Sequence, residues 1–443
     1  MTEVYHVSAA ELDEMASGPC GASSMRLLRN SQFSRNLLLL RHITDAAPAS
    51  AARDDALSLI DAARAHDPGA ASRVLSDPMI SAWINRVIRR LHGSPEPSPD
   101  WRADLGQMTA VAATVAAEAG VDGELPLEHR GETVTVPTRG VLTVSGEADR
   151  PLTLRVRSHE LIVSDGNGGI VVPPASDSPD LTDSPTQRWH GLRRLSAPAG
   201  DALVTVTLDD LTPYRDVFHA PATDRIDGEE FKRWRRLFTG AAGLLDRHAG
   251  NRTAEILQAS RTVVPLRADG SGTLRSGTAR HVFGAFGTTR PVSAAVMALT
   301  MVHEIQHSKL NAILELKPLF DSADPKLYFA PWRADPRPMW GLFHGVYAFL
   351  AAADVLNRMR AEPAQEMAAE EQFARVRGQL RTAMNSLLSA SSLTSAGYRF
   401  ASVMDRNLRL LEDVSVSRQA TDSANRTMDR TRDRWRERNG RAD

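Results

Sequence analysis

Apolar residues recur at helical spacing through MRLLRNSQFSRNLLLLRHI, with leucines on one face and arginines on the other. DDALSLIDAARAH and ASRVLSDPMISAWINRVIRRLHG continue that period, and SAAELDEM begins with a serine placed to cap a helix. The pattern predicts helices over 8–95, a loop at SPEPSPD (94–100) and one more alanine-rich helix over 101–121. Near residue 125 the period falls to two. GETVTVPTRGVLTVSG, LTLRVRSHELIVSDGNGGIVVP and ALVTVTLDDL alternate apolar with polar residues between turn formers, which predicts a β-rich block over about 126–212. Inside it, PPASDSPDLTDSPTQ (173–187) has the composition of a surface loop.

The helical period returns from 227 with GEEFKRWRRLFTGAAGLLDRHA. Two strand-like runs follow, TVVPLRA (262–268) and ARHVFGAFGTT (279–289), around the glycine-rich turn DGSGTLRSG. A helix is expected over about 291–316, then a proline- and aromatic-rich loop (317–340), the helix GLFHGVYAFLAAADVLNRMR, and two helices near 363–389 and 392–412. These changes of texture divide the chain into an N-terminal helical region (1–125), a β-rich block (126–222), a mainly helical region with short strands (223–416) in which the candidate chemistry below falls, and a charged C-terminal segment (417–443). In RTMDRTRDRWRERNG acidic residues interleave with the arginines, so the run reads as a solvated helix face rather than a nucleic-acid contact.

Composition narrows the classes. Over 443 residues, 53 Lys+Arg against 54 Asp+Glu leave a net charge of −1, so no overall field draws the chain to nucleic acid or membrane. A single cysteine, Cys20, excludes an internal disulfide framework and fits a reducing compartment. No basic-then-apolar N-terminal pattern is present and no apolar run reaches spanning length, the closest being VYAFLAAADVL with its aspartate. A cytoplasmic protein is expected.

ALTMVHEIQHSKLNAILEL (298–316) carries the candidate chemistry. On a helix, His303 and His307 point the same way, and two imidazoles at that spacing can reach one metal at about 2.1 Å. Glu304 beside them can polarise a metal-bound water or orient a ligand. Burying such polar groups in an apolar helix is costly unless they are used. The extended peptidase motif fails, because Leu310 and Ile313 stand where it needs Gly and His. The form with a downstream glutamate fails too: none lies between Glu315 and Glu362, and Glu315 is about 12 Å along the helix from His307. His344, in RPMWGLFHGVYAFL, is the favoured third ligand, flanked by Gly341 and Gly345, which permit close approach; Asp335 and Asp321 are carboxylate alternatives. The loop LYFAPWRADPRP holds Tyr328, Trp332, Arg333 and Arg337 between prolines, and an arginine held there can grip a carboxylate through two hydrogen bonds.

TVVPLR, ARHVFGAFG, TMVHEIQHSKLNAILEL and LYFAPWRADPRPMWGLFHGVYAFL, with the N-terminal HVSAAELDEMASGPCGASSMRLLRNSQFSRNLLLLRHI, resemble the HEXXH motif domain proteins of gene clusters for ribosomally synthesised, modified peptides. The resemblance is strongest over 262–356 and implies an α+β fold, mainly helical, with a zincin-like metal helix and a β-rich inserted block. It implies iron(II), 2-oxoglutarate and dioxygen as cofactor and co-substrates for hydroxylating a side chain of a precursor peptide, one often cyclophane-crosslinked by a partner radical SAM enzyme. His303, His307 and His344 would then hold iron. Arg337, or else Arg333, would bind the distal carboxylate of 2-oxoglutarate, with Tyr328 in the same cofactor-binding loop. Glu304, the catalytic candidate, would then not be obliged to act as a water-activating base and could orient a ligand or hold bound water. The strand ARHVFGAFG could pair an extended peptide along its edge or, equally, be an ordinary internal strand. Two other readings remain: a zinc metallopeptidase that trims such a peptide, and a non-catalytic peptide-binding scaffold.

Overall fold

The computed structural model describes residues 5–93, 101–127, 132–144, 152–164, 168–176, 188–200, 202–362 and 366–439. The loop expected at 94–100 and most of that expected at 173–187 lie outside the described residues. Helices α1 (Ala9–Ser17), α2 (Ala22–Ala46), α3 (Ala51–His66), α4 (Pro68–Leu75), α5 (Pro78–Leu91) and α6 (Trp101–Ala119) open the chain. The β-rich block follows as β1 (Gly123–Leu127), β2 (Thr133–Val136), β3 (Gly140–Thr143), β4 (Leu152–Arg157), β5 (Glu160–Ser164), β6 (Gly169–Val172), β7 (Trp189–Gly191), β8 (Arg193–Ala199) and β9 (Ala202–Leu208). Then come α7 (Gly228–His248), α8 (Asn251–Ala259), β10 (Thr262–Pro265), β11 (Ser276–Gly277), β12 (Ala285–Thr288), α9 (Ala294–Leu316), β13 (Leu327–Tyr328) and β14 (Arg337–Pro338). The helices α10 (Met339–Met359), α11 (Glu366–Leu388), α12 (Ser395–Glu412) and α13 (Arg418–Asn439) complete a mainly helical, mixed α+β protein.

Local chemistry explains several of these boundaries. Ser8 and Glu11 form a reciprocal capping box at α1, and Asp67 and Asp77, each followed by proline, start α4 and α5. In LTLRVR every second residue is buried, as a half-covered strand requires.

The packing crosses the divisions drawn from sequence texture, which mark changes of secondary structure rather than separate cores. Met15, Met25 and Leu28 of the first two helices share one apolar cluster with Ile305, Leu310, Phe343 and Phe400. One face of α6, with Met108, Val111 and Val115, joins the N-terminal helices. Its alanine face (Ala110, Ala113, Ala117) lets the sheets β1-β4-β5-β6 and β2-β3-β7 come close. Strand order in the third sheet is β11-β12-β10-β9-β8, with β10 parallel to β9 and β12. Phe231, Trp234 and Phe238 of α7 fill the space between this sheet and α9. Each is at most 1% exposed, and burial of a side chain of this size contributes about 1.5–3 kcal/mol.

Two expectations need correction. Only Ala285–Thr288 of ARHVFGAFGTT is strand; Gly284 has φ +85°, and a Cβ there would lie 2.6 Å from the Ala259 carbonyl. That strand is also internal, hydrogen-bonded to β10 on one side and β11 on the other, so the edge nearest α9 belongs to Ser276–Gly277. The apolar helix around VYAFL, α10, is long and apolar enough to cross a membrane, but 78% of that window is buried within the protein, as befits a core helix.

Candidate metal centre

Ser293 caps α9 by accepting a hydrogen bond from the Val296 amide at 3.3 Å. The helix is enclosed on most of its faces, and His303, Glu304, His307 and Asn311 line a cleft of about 820 Å³. His303, His307 and Asn311 follow one another at successive turns and line that cleft, with Trp340, His344 and Phe349 of α10 opposite. The structure thus brings together all three histidines singled out in the sequence.

His303 Nε2 and His307 Nε2 are 3.0 Å apart, and His307 Nδ1 meets His344 Nδ1 at 3.2 Å. His303 stands edge-on to His307 and packs on Phe349; His344 packs on Trp340. Burial holds all three imidazoles neutral. His303 lies below its ordinary value through burial, partly opposed by Glu304. His307 lies well below, through burial and then its two histidine neighbours. His344 is pushed to about 3 by burial and by Arg280. Neutral imidazoles keep the lone pairs that metal binding needs.

The donor set fits a divalent ion; its present arrangement is a chain rather than a tripod. The two Nε2 atoms of α9 lie at a separation that two ligands about 2.1 Å from one ion permit. His344, however, faces the other nitrogen of His307, so among the described residues no three ligand side chains are already set around one point. A third bond requires the His307 or His344 ring to turn. Among the described residues the buried Nε2 of His344 has no hydrogen-bond partner, a state that costs free energy until something is bound there.

Glu304 is 2% exposed, and both its oxygens are occupied: Ser276 Oγ donates to Oε1 and Thr278 Oγ1 to Oε2, each at 2.7 Å. The carboxylate therefore ties α9 to edge strand β11 and the residue that follows it. These hydroxyls, with Asn311, Trp340 and Phe349, are the site residues that motif reading missed. Ser276 and Thr278 sit in the glycine-rich turn, where serine and threonine normally signal only loop chemistry.

The arginine loop is a hairpin stapled where Tyr328 pairs with Arg337. Asp335 accepts from Arg333 Nε and from Arg337 NH1, both at 3.0 Å. Burial raises the Asp335 carboxyl, but the two arginine bonds outweigh it and hold the group below its usual value. Both arginines line the cleft, with Arg337 the more buried at 29% exposure against 54% for Arg333. The space left by the two glycines is filled from within the protein: the Arg337 side chain lies over Gly341 and the Trp332 ring over Gly345. Tyr328 is not at the site. Its ring is buried in the helical core and its hydroxyl donates to Asp324 at 3.3 Å. Asp321 is exposed, accepts from the Ala323 amide and does not line the cleft, so it is no ligand alternative.

No family model matches the chain, and no curated protein is similar to it.

Proposed function

We propose that this protein is an iron(II)- and 2-oxoglutarate-dependent hydroxylase acting on a side chain of a ribosomally synthesised precursor peptide, as its resemblance to the HEXXH motif domain proteins implies. The observation that carries the reading is the approach of His303, His307 and His344, from two helices, to within 3.0 and 3.2 Å at the floor of a cleft walled by arginines. Bound iron(II) would supply dioxygen activation coupled to oxidative decarboxylation of 2-oxoglutarate. The protein's own residues hold and orient. His303 and His307 present neutral nitrogens, and His344 adds the third. Arg337, pinned between Asp335 and the Gly341 backbone, offers its remaining N–H groups to a carboxylate. Trp332, Trp340 and Phe349 keep water from the cleft floor. The edge strand β11 beside α9 supports a zincin-like reading and offers backbone for an extended peptide. The engaged Glu304 carboxylate counts against a peptidase, whose glutamate must be free to take a proton from water.

The test is anaerobic loading with iron(II), then addition of 2-oxoglutarate, air and precursor peptide, with and without a cyclophane crosslink. Succinate formation matched by a one-oxygen mass gain on the peptide supports the proposal. New peptide termini with zinc, and no consumption of 2-oxoglutarate, would establish the peptidase instead. Peptide binding that survives His303→Ala/His307→Ala, without turnover by the wild type, would leave a scaffold.

A further inference from the structure

Strand β9 pairs with β8 along its whole length, from Ala202 opposite Ala199 to Leu208 opposite Arg193. On its other side it meets β10 only at Thr207 and Leu208. The Thr207 amide donates toward β10, to the Arg261 carbonyl at 2.9 Å, and strand alternation turns the amides of Leu203 and Thr205 to that same side. Among the described residues neither amide has a partner. The stretch Ala202–Val206 is therefore an open sheet edge about 16 Å long at 3.3 Å per residue.

This edge borders a groove of about 600 Å³ lined by Arg29, Arg73, Arg194 and Arg261, with Ser260 and Leu203. None of the four arginines forms an ion pair among the described residues, although Arg261 and Arg73 are felt at longer range by Asp77 and Asp67. The groove's two carboxylates are engaged elsewhere: Asp77 caps α5 through the Met79 amide at 2.8 Å, and Glu118 pairs with Arg139 at 3.2 Å. Ser260 is 1% exposed, and among the described residues its hydroxyl has no partner. Leu203 is 71% exposed at the groove's edge.

We infer that this groove binds an extended acidic peptide segment, which adds to β9 as a strand while its carboxylates meet the arginines. A free phosphate or a nucleic acid would satisfy the arginines and leave the sheet edge and Leu203 unused, so the combination favours peptide. The surface is separate from the histidine cleft, and the inference does not rest on the metal chemistry.

The test is fluorescence anisotropy of a short fluorescein-labelled peptide of alternating valine and glutamate. It is titrated with the full-length protein and, in parallel, with His303→Ala/His307→Ala. Saturable binding is expected to both. Replacing glutamate by glutamine in the peptide, or making Arg29→Gln/Arg261→Gln, should weaken it about tenfold or more, the loss of one good charged contact. Methylating alternate backbone nitrogens of the peptide should weaken it as much on unaltered protein. Thr205→Pro, which removes an outward amide and no backbone bond to β8, should do the same, with Thr205→Ala, which loses only the side-chain bond to Ser196 Oγ, as the control that keeps binding. Absence of saturable binding, full retention with the N-methylated peptide, or complete displacement by inorganic phosphate or a short DNA oligonucleotide would overturn the inference.

Discussion

The face of α9 turned away from the cleft holds a charge pair whose removal has a definite consequence. Lys309, two residues past His307, is fully buried and pairs with Glu255, itself 1% exposed. The ammonium also donates to Gln306 Oε1 at 3.0 Å and sits over the Tyr347 ring. Glu255 in turn accepts from the Cys20 amide at 3.1 Å, which ties the N-terminal segment through Lys309 to α9. Burial alone would discharge the ammonium; Cys20, Glu255 and Tyr347 outweigh it and hold Lys309 charged, above its usual range. Lys309→Met leaves the Glu255 carboxylate with only amide donors and Arg252 at 3.8 Å. Breaking one side of a fully buried pair costs about 3–5 kcal/mol. Glu255→Gln/Lys309→Met removes both charges of the pair, leaves the buried Arg252 with its Asp354 partner at 3.1 Å and keeps an acceptor for Cys20, so it should cost only about 1–3 kcal/mol, less than the single change. A group whose pKa is raised by folding contributes fully below its unfolded value, here 10.5, so the cost should stay constant from about pH 6 to 9. Urea unfolding followed by far-ultraviolet circular dichroism reads these differences. A Lys309→Met protein within about 1 kcal/mol of wild type, or a double variant no more stable than it, would refute the reasoning.

At the candidate centre, His303→Ala and His307→Ala should each abolish stoichiometric iron uptake measured by mass spectrometry of the metal. His344→Ala should lower affinity on the scale of tenfold or more while secondary structure persists. Gly345→Ala would place a methyl 2.2 Å from the Trp332 ring; it should shift tryptophan fluorescence and reduce turnover while sparing iron binding, and an unchanged spectrum would argue against the packing. Ser276→Ala/Thr278→Ala strips Glu304 of its donors and should destabilise by about 1–3 kcal/mol for each bond lost, read by thermal unfolding. An imidazole kept neutral in the fold is protonated more readily in the unfolded chain. The metal-free protein should therefore lose stability as pH falls below 6.5 toward 3, and His344→Phe should remove about one proton from that dependence.

The amino-acid order by itself determined much of the local structure. Period and caps placed many of the helices to within a few residues, as at Ser8, because capping and amphipathic spacing act between neighbours along the chain. It also put His303 and His307 on one helical face, a consequence of 3.6 residues per turn. The tertiary structure alone decided what stands across from them. His344 meets His307 because α10 packs antiparallel on α9 after a stapled hairpin. Glu304 is engaged because the short strand β11 brings two hydroxyls from a glycine-rich turn. Tyr328 looked like a site residue because it shares a loop with the arginines, yet its ring turns into the core, since side chains next to one another along a chain can face opposite ways. The open edge of β9 was equally invisible, because a missing partner strand is a property of the sheet and not of the strand's residues. Contacts between residues far apart in sequence depend on how whole faces pack, and no local pattern encodes that choice.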